Sequence, residues 1–230
     1  MNEALSRLCE RVGYRFRDDS LAVTAMRHRS FVAENEGFES NERLEFLGDA
    51  VLGWVVADLV YRAQDEMHEG KLTDLRKSMV NATALAELAE DLGVGECVML
   101  GRGEEQGGGR EKTSILSDAL EALFGAIYMD SDAATTHRVL TTLMASRLQG
   151  ALDGLDRLDA KTRLQELASK LLSEHVHYEI RDEGPDHEKV FYATVFVGER
   201  RLGSGEGRSK KAAEQLAAEI ACDTLAREHA

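Results

Sequence analysis

Two long apolar stretches of this chain carry acidic residues at positions where a helical core normally holds apolar ones. The first stretch, residues 44–60, contains no proline and is long enough for a buried helix. Glu45 and Asp49 stand four residues apart in it and therefore lie on one face of that helix. Glu42 extends this face toward the start of the helix, and Gly53 continues it without a side chain that could obstruct a neighbouring element.

The second stretch, residues 114–130, repeats this arrangement with Asp118, Glu121 and then Gly125 on one helix face. Two such helices packed face to face would bring four carboxylates together. Because an unpaired buried carboxylate costs several kcal/mol, these acids require cations. Ordinary salt bridges to Lys or Arg could supply them, and so could a divalent metal; an all-oxygen site suits Mg²⁺ or Mn²⁺ rather than zinc. The repetition of the pattern favours the metal site.

Four motifs, taken in chain order, resemble those of the ribonuclease III family, which are double-strand-specific endoribonucleases. The signature is Asn-Glu-Arg-Leu-Glu-Phe-Leu-Gly-Asp at 41–49, and the others lie at 28–30, 101–105 and 117–122. With the C-terminal segment described below, the resemblance covers essentially the whole chain. It implies an all-α endonuclease domain that hydrolyses phosphodiester bonds of double-stranded RNA with Mg²⁺, for which Mn²⁺ can substitute, and without a small-molecule cofactor. It also implies a homodimer, 5′-phosphate products with short 3′ overhangs, and processing of ribosomal RNA precursors and other structured transcripts.

The resemblance assigns metal binding and catalysis to the four carboxylates. Two divalent ions can activate water, stabilise the charged transition state and stabilise the leaving oxygen. We expect Asp49 and Glu121 to have the most demanding roles, because each is the inner member of its helical pair. Glu45 and Asp118 complete the ligand set, and Glu42 is expected beside these ligands rather than among them.

Three further residues in the N-terminal half of the chain, which holds the carboxylates, have both a candidate role and a structural alternative. Glu69 is either an exposed loop acid or an acid close to the active site, as the resemblance implies. Phe46 is either the aromatic residue of a dimer interface, again by resemblance, or a core residue of its own chain. His28 is either a metal ligand or base, or a structural capping residue; no second histidine has ligand spacing to it.

The remaining patterns of this half predict helices and one linker. Helical spacing of apolar residues occurs at 3–12, from 18 to about 27, and from about 72 to 92, and a closing amphipathic helix is predicted from 132 to about 152. The glycine-rich tract 101–112 lacks the Gly-Lys-Ser/Thr ending of a phosphate-binding loop. We therefore interpret it as a flexible linker that positions the second carboxylate helix.

The C-terminal third of the chain has a different periodicity. A polar, glycine-containing boundary at 153–159 separates a first domain, 1–152, from a second, 160–230. The second domain predicts a helix, three strands and a helix, with alternating apolar residues in the strand at 190–197. This small α+β pattern, in the order α-β-β-β-α, resembles a double-stranded RNA-binding domain.

Candidate RNA-binding residues of the second domain fall into two groups. Basic and hydroxyl side chains lie where the last helix begins, and the free N–H groups and the dipole of that helix also favour binding of phosphate. Two adjacent lysines, taken by themselves, are equally consistent with a solvent-exposed helix start. Other side chains match the family's minor-groove contacts on the first helix and in the first strand loop. The first group is Arg208, Ser209, Lys210 and Lys211, and the second is Thr162, Gln165, Glu166 and His187.

Charge and composition limit the remaining function classes. The net charge is −14, with 12 Lys and Arg against 15 Asp and Glu in 156–230, so acidity is concentrated in the proposed nuclease half. This distribution argues against indiscriminate polyanion binding and requires local basic patches. Three widely spaced cysteines predict free thiols in a reducing compartment, and the absence of a signal-like or membrane-spanning apolar run predicts a cytoplasmic protein.

Two alternative functions compete with the enzyme. A non-catalytic double-stranded RNA-binding protein with a relic nuclease fold would have lost one or more of the carboxylates, and none is lost. A di-iron bundle protein would need Glu-x-x-His, but Glu121 is followed three residues later by Phe124.

Overall fold

The computed structural model describes residues 3–172, 174–184 and 189–228, and for 155–159 the backbone alone. The chain divides into two compact units, Met1–Ala151 and Leu152–Ala230. None of the described helices combines the length and apolar character that a membrane crossing requires.

The first unit is helical, as its sequence patterns predict. Its helices are α1 (Glu3–Val12), α2 (Asp19–Ala25), α3 (Arg29–Glu34), α4 (Glu42–Ala63), α5 (Glu69–Val80), α6 (Ala82–Leu92), α7 (Arg102–Gln106), α8 (Thr113–Asp130) and the part of α9 (Ala133–Leu172) up to Ala151. Helix α8 is the central element of this unit, since most of its side chains are buried, and it packs against α2, α4 and α6.

The single helix predicted from 72 to 92 is wrong, because the structure has two helices separated at Asn81. The backbone of Asn81 is extended, with φ −74° and ψ 158°, and its side-chain oxygen accepts a hydrogen bond from the Ala84 N–H. Asn81 thus caps α6, a role in which asparagine is among the best residues. Helix α5 also begins earlier than predicted, at Glu69.

The glycine-rich tract 101–112 is not the flexible linker that we predicted. It contains α7 and a 3₁₀ turn, Gly109–Glu111. The Arg110 guanidinium donates two hydrogen bonds to Glu105, of 2.7 and 2.8 Å, and a third to the Gly95 carbonyl at 2.7 Å. These charge-assisted contacts replace the side-chain packing that glycines cannot provide.

The second unit has the predicted α-β-β-β-α order. Strands β1 (Val176–Glu183), β2 (Val190–Val197) and β3 (Arg200–Gly207) form an antiparallel sheet in the order β1-β2-β3, and α10 (Lys210–Glu228) follows. Alternate residues of β2, beginning with Ala193, are buried against α10 and the C-terminal part of α9. A Cβ at Gly203 would lie 2.3 Å from the Ala217 carbonyl oxygen, so glycine lets α10 approach the sheet closely.

The segment predicted as a linker, 153–159, is helical in the structure, because α9 extends from Ala133 to Leu172. No proline interrupts this range. Its glycines, Gly150 and Gly154, each cost about 1 kcal/mol relative to alanine, which a long helix tolerates.

Candidate metal centre

The two carboxylate helices meet backbone to backbone at two glycines. A Cβ added to Gly48 would lie 1.8 Å from the Glu121 carbonyl oxygen, and one added to Gly125 would lie 2.2 Å from the Leu44 carbonyl oxygen. Since 44 pairs with 125 and 48 with 121, α4 and α8 run antiparallel. We expected Gly53 to leave room for a neighbour, but an added Cβ there would meet nothing within 4 Å.

This close packing brings three of the four predicted ligands together. Glu45 from α4 and Asp118 and Glu121 from α8 each offer a carboxylate oxygen, and these atoms all lie within 4.8 Å of one another. All three side chains are partly buried. A site made only of carboxylate oxygens has the chemistry of Mg²⁺ and Mn²⁺ sites.

The three carboxyl groups of this cluster are in an environment that disfavours their negative charge, which a bound cation would stabilise. Burial raises the pKa of Glu121 to about 7, and the charges of Asp49, Asp118 and Glu45 contribute to this rise. Burial also raises the pKa of Asp118, and burial together with the neighbouring Asp118 raises the pKa of Glu45. Within the described residues, no Lys or Arg forms an ion pair with any of these carboxylates. The salt-bridge alternative therefore lacks partners, and the donor set fits a divalent metal.

The other acids predicted near the site are not part of this group of three, although the charges of Asp49 and Glu42 act on it. Asp49 is exposed one turn after Glu45 and is not part of the group, although its charge raises the pKa of Glu121. Glu42 is exposed and accepts a 2.7 Å hydrogen bond from the Ser40 hydroxyl. Glu69 starts α5 with an exposed side chain that accepts a 3.2 Å hydrogen bond from Thr73.

His28 has a capping role. Its Nδ1 accepts a hydrogen bond from the Ser30 N–H at the start of α3 and lies 2.8 Å from the Ser30 hydroxyl oxygen. That oxygen accepts a 2.9 Å hydrogen bond from the Gly101 N–H. Burial lowers the pKa of His28, opposed in part by the charge of Glu104. The two short segments that contain family motifs, 28–30 and 101–105, are therefore joined directly.

Arg29 is a residue that sequence reasoning missed. Its positive charge opposes the raised pKa of both Glu45 and Asp118, so it lies within electrostatic range of the cluster. The sequence shows it only as the middle residue of the 28–30 motif, and nothing in its spacing connects it to α4 or α8.

Phe46 is not a core residue of its own chain, because its side chain is 82% exposed. Trp54 and Tyr61 are also exposed, at 45% and 70%. The helical spacing of these three aromatic residues places them on one side of α4.

The predicted RNA-binding residues within the described chain are exposed. The Ser209 hydroxyl accepts a 3.1 Å hydrogen bond from the Ala212 N–H and so caps α10. His187 lies outside the described residues. The exposed positions are Thr162, Gln165 and Glu166 on α9, and Arg208, Ser209, Lys210 and Lys211 at the start of α10.

Comparison with known proteins gives two family matches. Residues 18–148 match a model described as Ribonuclease-III-like, and residues 160–225 match the double-stranded RNA binding motif. A curated relative, Ribonuclease 3 of Thermobifida fusca, is 51% identical over 92% of this chain and 88% of its own length. Ribonuclease 3 of Streptomyces coelicolor is 48% identical over 92% of this chain and 76% of its own length.

Solved structures give the same result for the first unit. The crystal structure of the ribonuclease III nuclease domain from Campylobacter jejuni is 37% identical, with a TM-score of 0.59, and the match covers 64% of this chain and 97% of that one. A second structure of that domain concerns flexibility in a region involved in its dimer formation. The chain therefore belongs to the ribonuclease III family of double-strand-specific endoribonucleases and carries a double-stranded RNA-binding domain after its helical nuclease domain.

Proposed function

We propose that this ribonuclease III cleaves double-stranded RNA with Mg²⁺ held by Glu45, Asp118 and Glu121, with Asp49 completing the ligand set. The observation that carries this proposal is the cluster of three carboxylates, which lies where two helices touch and has no basic ion-pair partner among the described residues. Mn²⁺ should substitute, since it prefers the same oxygen ligands.

The carboxylates have different environments and therefore different roles. A bound divalent ion would supply Lewis-acid stabilisation and an activated water. Glu121 has the most strongly raised pKa of the cluster, at about 7, because burial and the neighbouring carboxylates disfavour its charge, and a bound cation would stabilise the charged form. Asp49 is exposed at the edge of the cluster, where its carboxylate can reach a ligand that arrives from solvent. Glu42, the first residue of α4, adds negative charge near Glu45, while Glu69 remains a candidate acid on α5.

The second unit supplies RNA affinity in this proposal. Arg208, Lys210 and Lys211 would contact phosphates, assisted by the Ser209 cap and the free N–H groups of α10. Thr162, Gln165, Glu166 and His187 would contact the minor groove, where 2′-hydroxyls distinguish RNA from DNA. The proposed functional limits are 1–152 for cleavage and 160–230 for binding.

We also propose a homodimer in which each copy cuts one strand, leaving 5′-phosphates and short 3′ overhangs. The exposed side of α4 supports this, because it presents three aromatic residues, Phe46, Trp54 and Tyr61, and a group of exposed apolar side chains is typical of a protein–protein interaction surface. Precursors of ribosomal RNA and other structured transcripts are the proposed substrates, and the cytoplasm is the proposed compartment.

An end-labelled RNA duplex, incubated with and without Mg²⁺ and analysed on a gel, tests the central proposal. Glu121→Gln should cut at less than a tenth of the wild-type rate and still bind the duplex, because it removes a ligand charge and preserves side-chain size. Glu66→Gln, at an exposed position outside the cluster, is the matched control and should cut normally. Binding without Mg²⁺-dependent cleavage by the wild-type chain would instead support the non-catalytic alternative.

A further inference from the structure

Arg29 is an exposed guanidinium at the margin of the carboxylate cluster. It makes no side-chain hydrogen bond or ion pair with any other described residue. Its charge nevertheless acts on Glu45, Asp118 and Glu104, so it stands near the cluster without being bound to it. An arginine that is close to several carboxylates and paired with none of them remains available for another anion.

The backbone around Arg29 is fixed to the carboxylate helix. The Arg27 carbonyl accepts a 2.8 Å hydrogen bond from the N–H of Asn41, the buried residue that precedes α4. The Asn41 carbonyl in turn accepts a 2.9 Å hydrogen bond from the Glu45 N–H. Two hydrogen bonds thus connect the segment that carries Arg29 to the turn that carries Glu45.

The other side of this segment is fixed to the start of α7. The Gly101 N–H donates to the Ser30 hydroxyl, and the Arg102 N–H donates to the Glu34 carboxylate, each at 2.9 Å. A Cβ at Gly101 would lie 2.5 Å from the Ser30 carbonyl oxygen, so the two segments are in close contact. Helix α3 therefore cannot shift freely, and the base of the Arg29 side chain has a defined position.

Charge balance indicates which anion Arg29 would meet. Two divalent cations would neutralise the four carboxylates Glu45, Asp49, Asp118 and Glu121. Arg29 would then carry an uncompensated charge at the edge of the site, where the proposed function brings a phosphodiester. A planar guanidinium can donate two parallel hydrogen bonds to a phosphate, a geometry that lysine cannot reproduce.

We propose that Arg29 binds a backbone phosphate of the RNA next to the bond that is cleaved, and so positions the substrate over the carboxylate cluster. This inference rests on the proposed nuclease function. It divides the segment 28–30 into two roles, because His28 and Ser30 fix the backbone while Arg29 makes the contact.

The test measures duplex binding as a function of salt for full-length protein in a Glu121→Gln background, which permits binding without cleavage. Arg29→Gln should weaken binding about tenfold and reduce the slope of log affinity against log salt by about one, the value for one lost phosphate contact. Arg29→Lys should keep the slope and recover part of the affinity, because it retains the charge without the bidentate geometry. Arg138→Gln removes another exposed arginine, on α9, whose side chain pairs with no described residue, and it should change neither quantity.

A Mg²⁺ titration of cleavage by the single variants separates this role from simple charge compensation. If Arg29 only offset the repulsion among the carboxylates, Arg29→Gln would lower the Mg²⁺ concentration required and leave the salt slope unchanged. That pair of results would overturn the inference about Arg29, and so would an unchanged salt slope alone. In either case, cleavage by the wild-type chain would still support the nuclease function. A wild-type chain that failed to cleave would contradict the proposed function itself.

Discussion

Gly48→Ala should separate the two carboxylate helices and disable the site without removing a ligand. The added Cβ would lie 1.8 Å from the Glu121 carbonyl oxygen, and Cβ atoms essentially never approach such an atom closer than 3.0 Å. The backbones must therefore move apart by about 1.2 Å, the difference between these two distances. Neither atom belongs to a flexible side-chain end, so the strain cannot be relieved by a rotamer change.

The size of this movement predicts the loss of activity. Glu45 moves with α4, whereas Asp118 and Glu121 remain on α8, so the carboxylate spacing widens by a similar amount. Functional sites tolerate displacements of about 0.5 Å, and a misplacement of about 1 Å can cost roughly 10²-fold in rate. Overpacking of this kind also costs about 1–3 kcal/mol of stability.

Single-turnover cleavage of a duplex, together with urea unfolding, measures both effects. Gly53→Ala is the matched control, because it is on the same helix and its added Cβ would meet nothing within 4 Å. It should retain the wild-type rate and stabilise the chain by roughly 0.5–1 kcal/mol, the usual gain for this change inside a helix. A wild-type rate for Gly48→Ala, or equal losses in the two variants, would refute the reasoning.

Three further predictions concern charge and assembly. In metal-free protein, burial and then the neighbouring carboxylates raise the pKa of Glu121 from the ordinary value of 4.5 to about 7. Between these two pH values the folded chain holds a proton that the unfolded chain has lost. The free energy of unfolding should therefore fall as the pH rises from 4.5 to about 7. Urea unfolding at several pH values in a chelating buffer should show this fall in the wild type and less of it in Glu121→Gln. Phe46→Ala should weaken self-association, because it removes an aromatic ring that is 82% exposed; sedimentation showing the same dimer over a wide dilution range would exclude that role. Replacing Lys210 and Lys211 together with Ala should weaken duplex binding and reduce the salt slope by up to ~2, and unchanged binding would remove them from the interface.

The sequence determined which side chains each element would present. Spacing of four residues between Glu45 and Asp49, and of three between Asp118 and Glu121, fixes their shared helix faces, because helical geometry is local. The alternation in β2 identifies its buried side for the same reason. Local periodicity was therefore sufficient for the helical class of the first unit, though not for all its helix boundaries, and for the α-β-β-β-α order of the second.

Only the tertiary structure decided the distances between elements. Spacing selected Gly53 as the glycine that faces a neighbouring element, yet Gly48 and not Gly53 meets the backbone of α8. Asp49 shares the helix face of Glu45 but lies outside the group of three, and Arg29 lies beside that group although α3 was not predicted. The physical reason is that a helical pattern specifies the direction of a side chain, whereas the partner helix, its register and its closest approach depend on contacts between residues far apart in the chain.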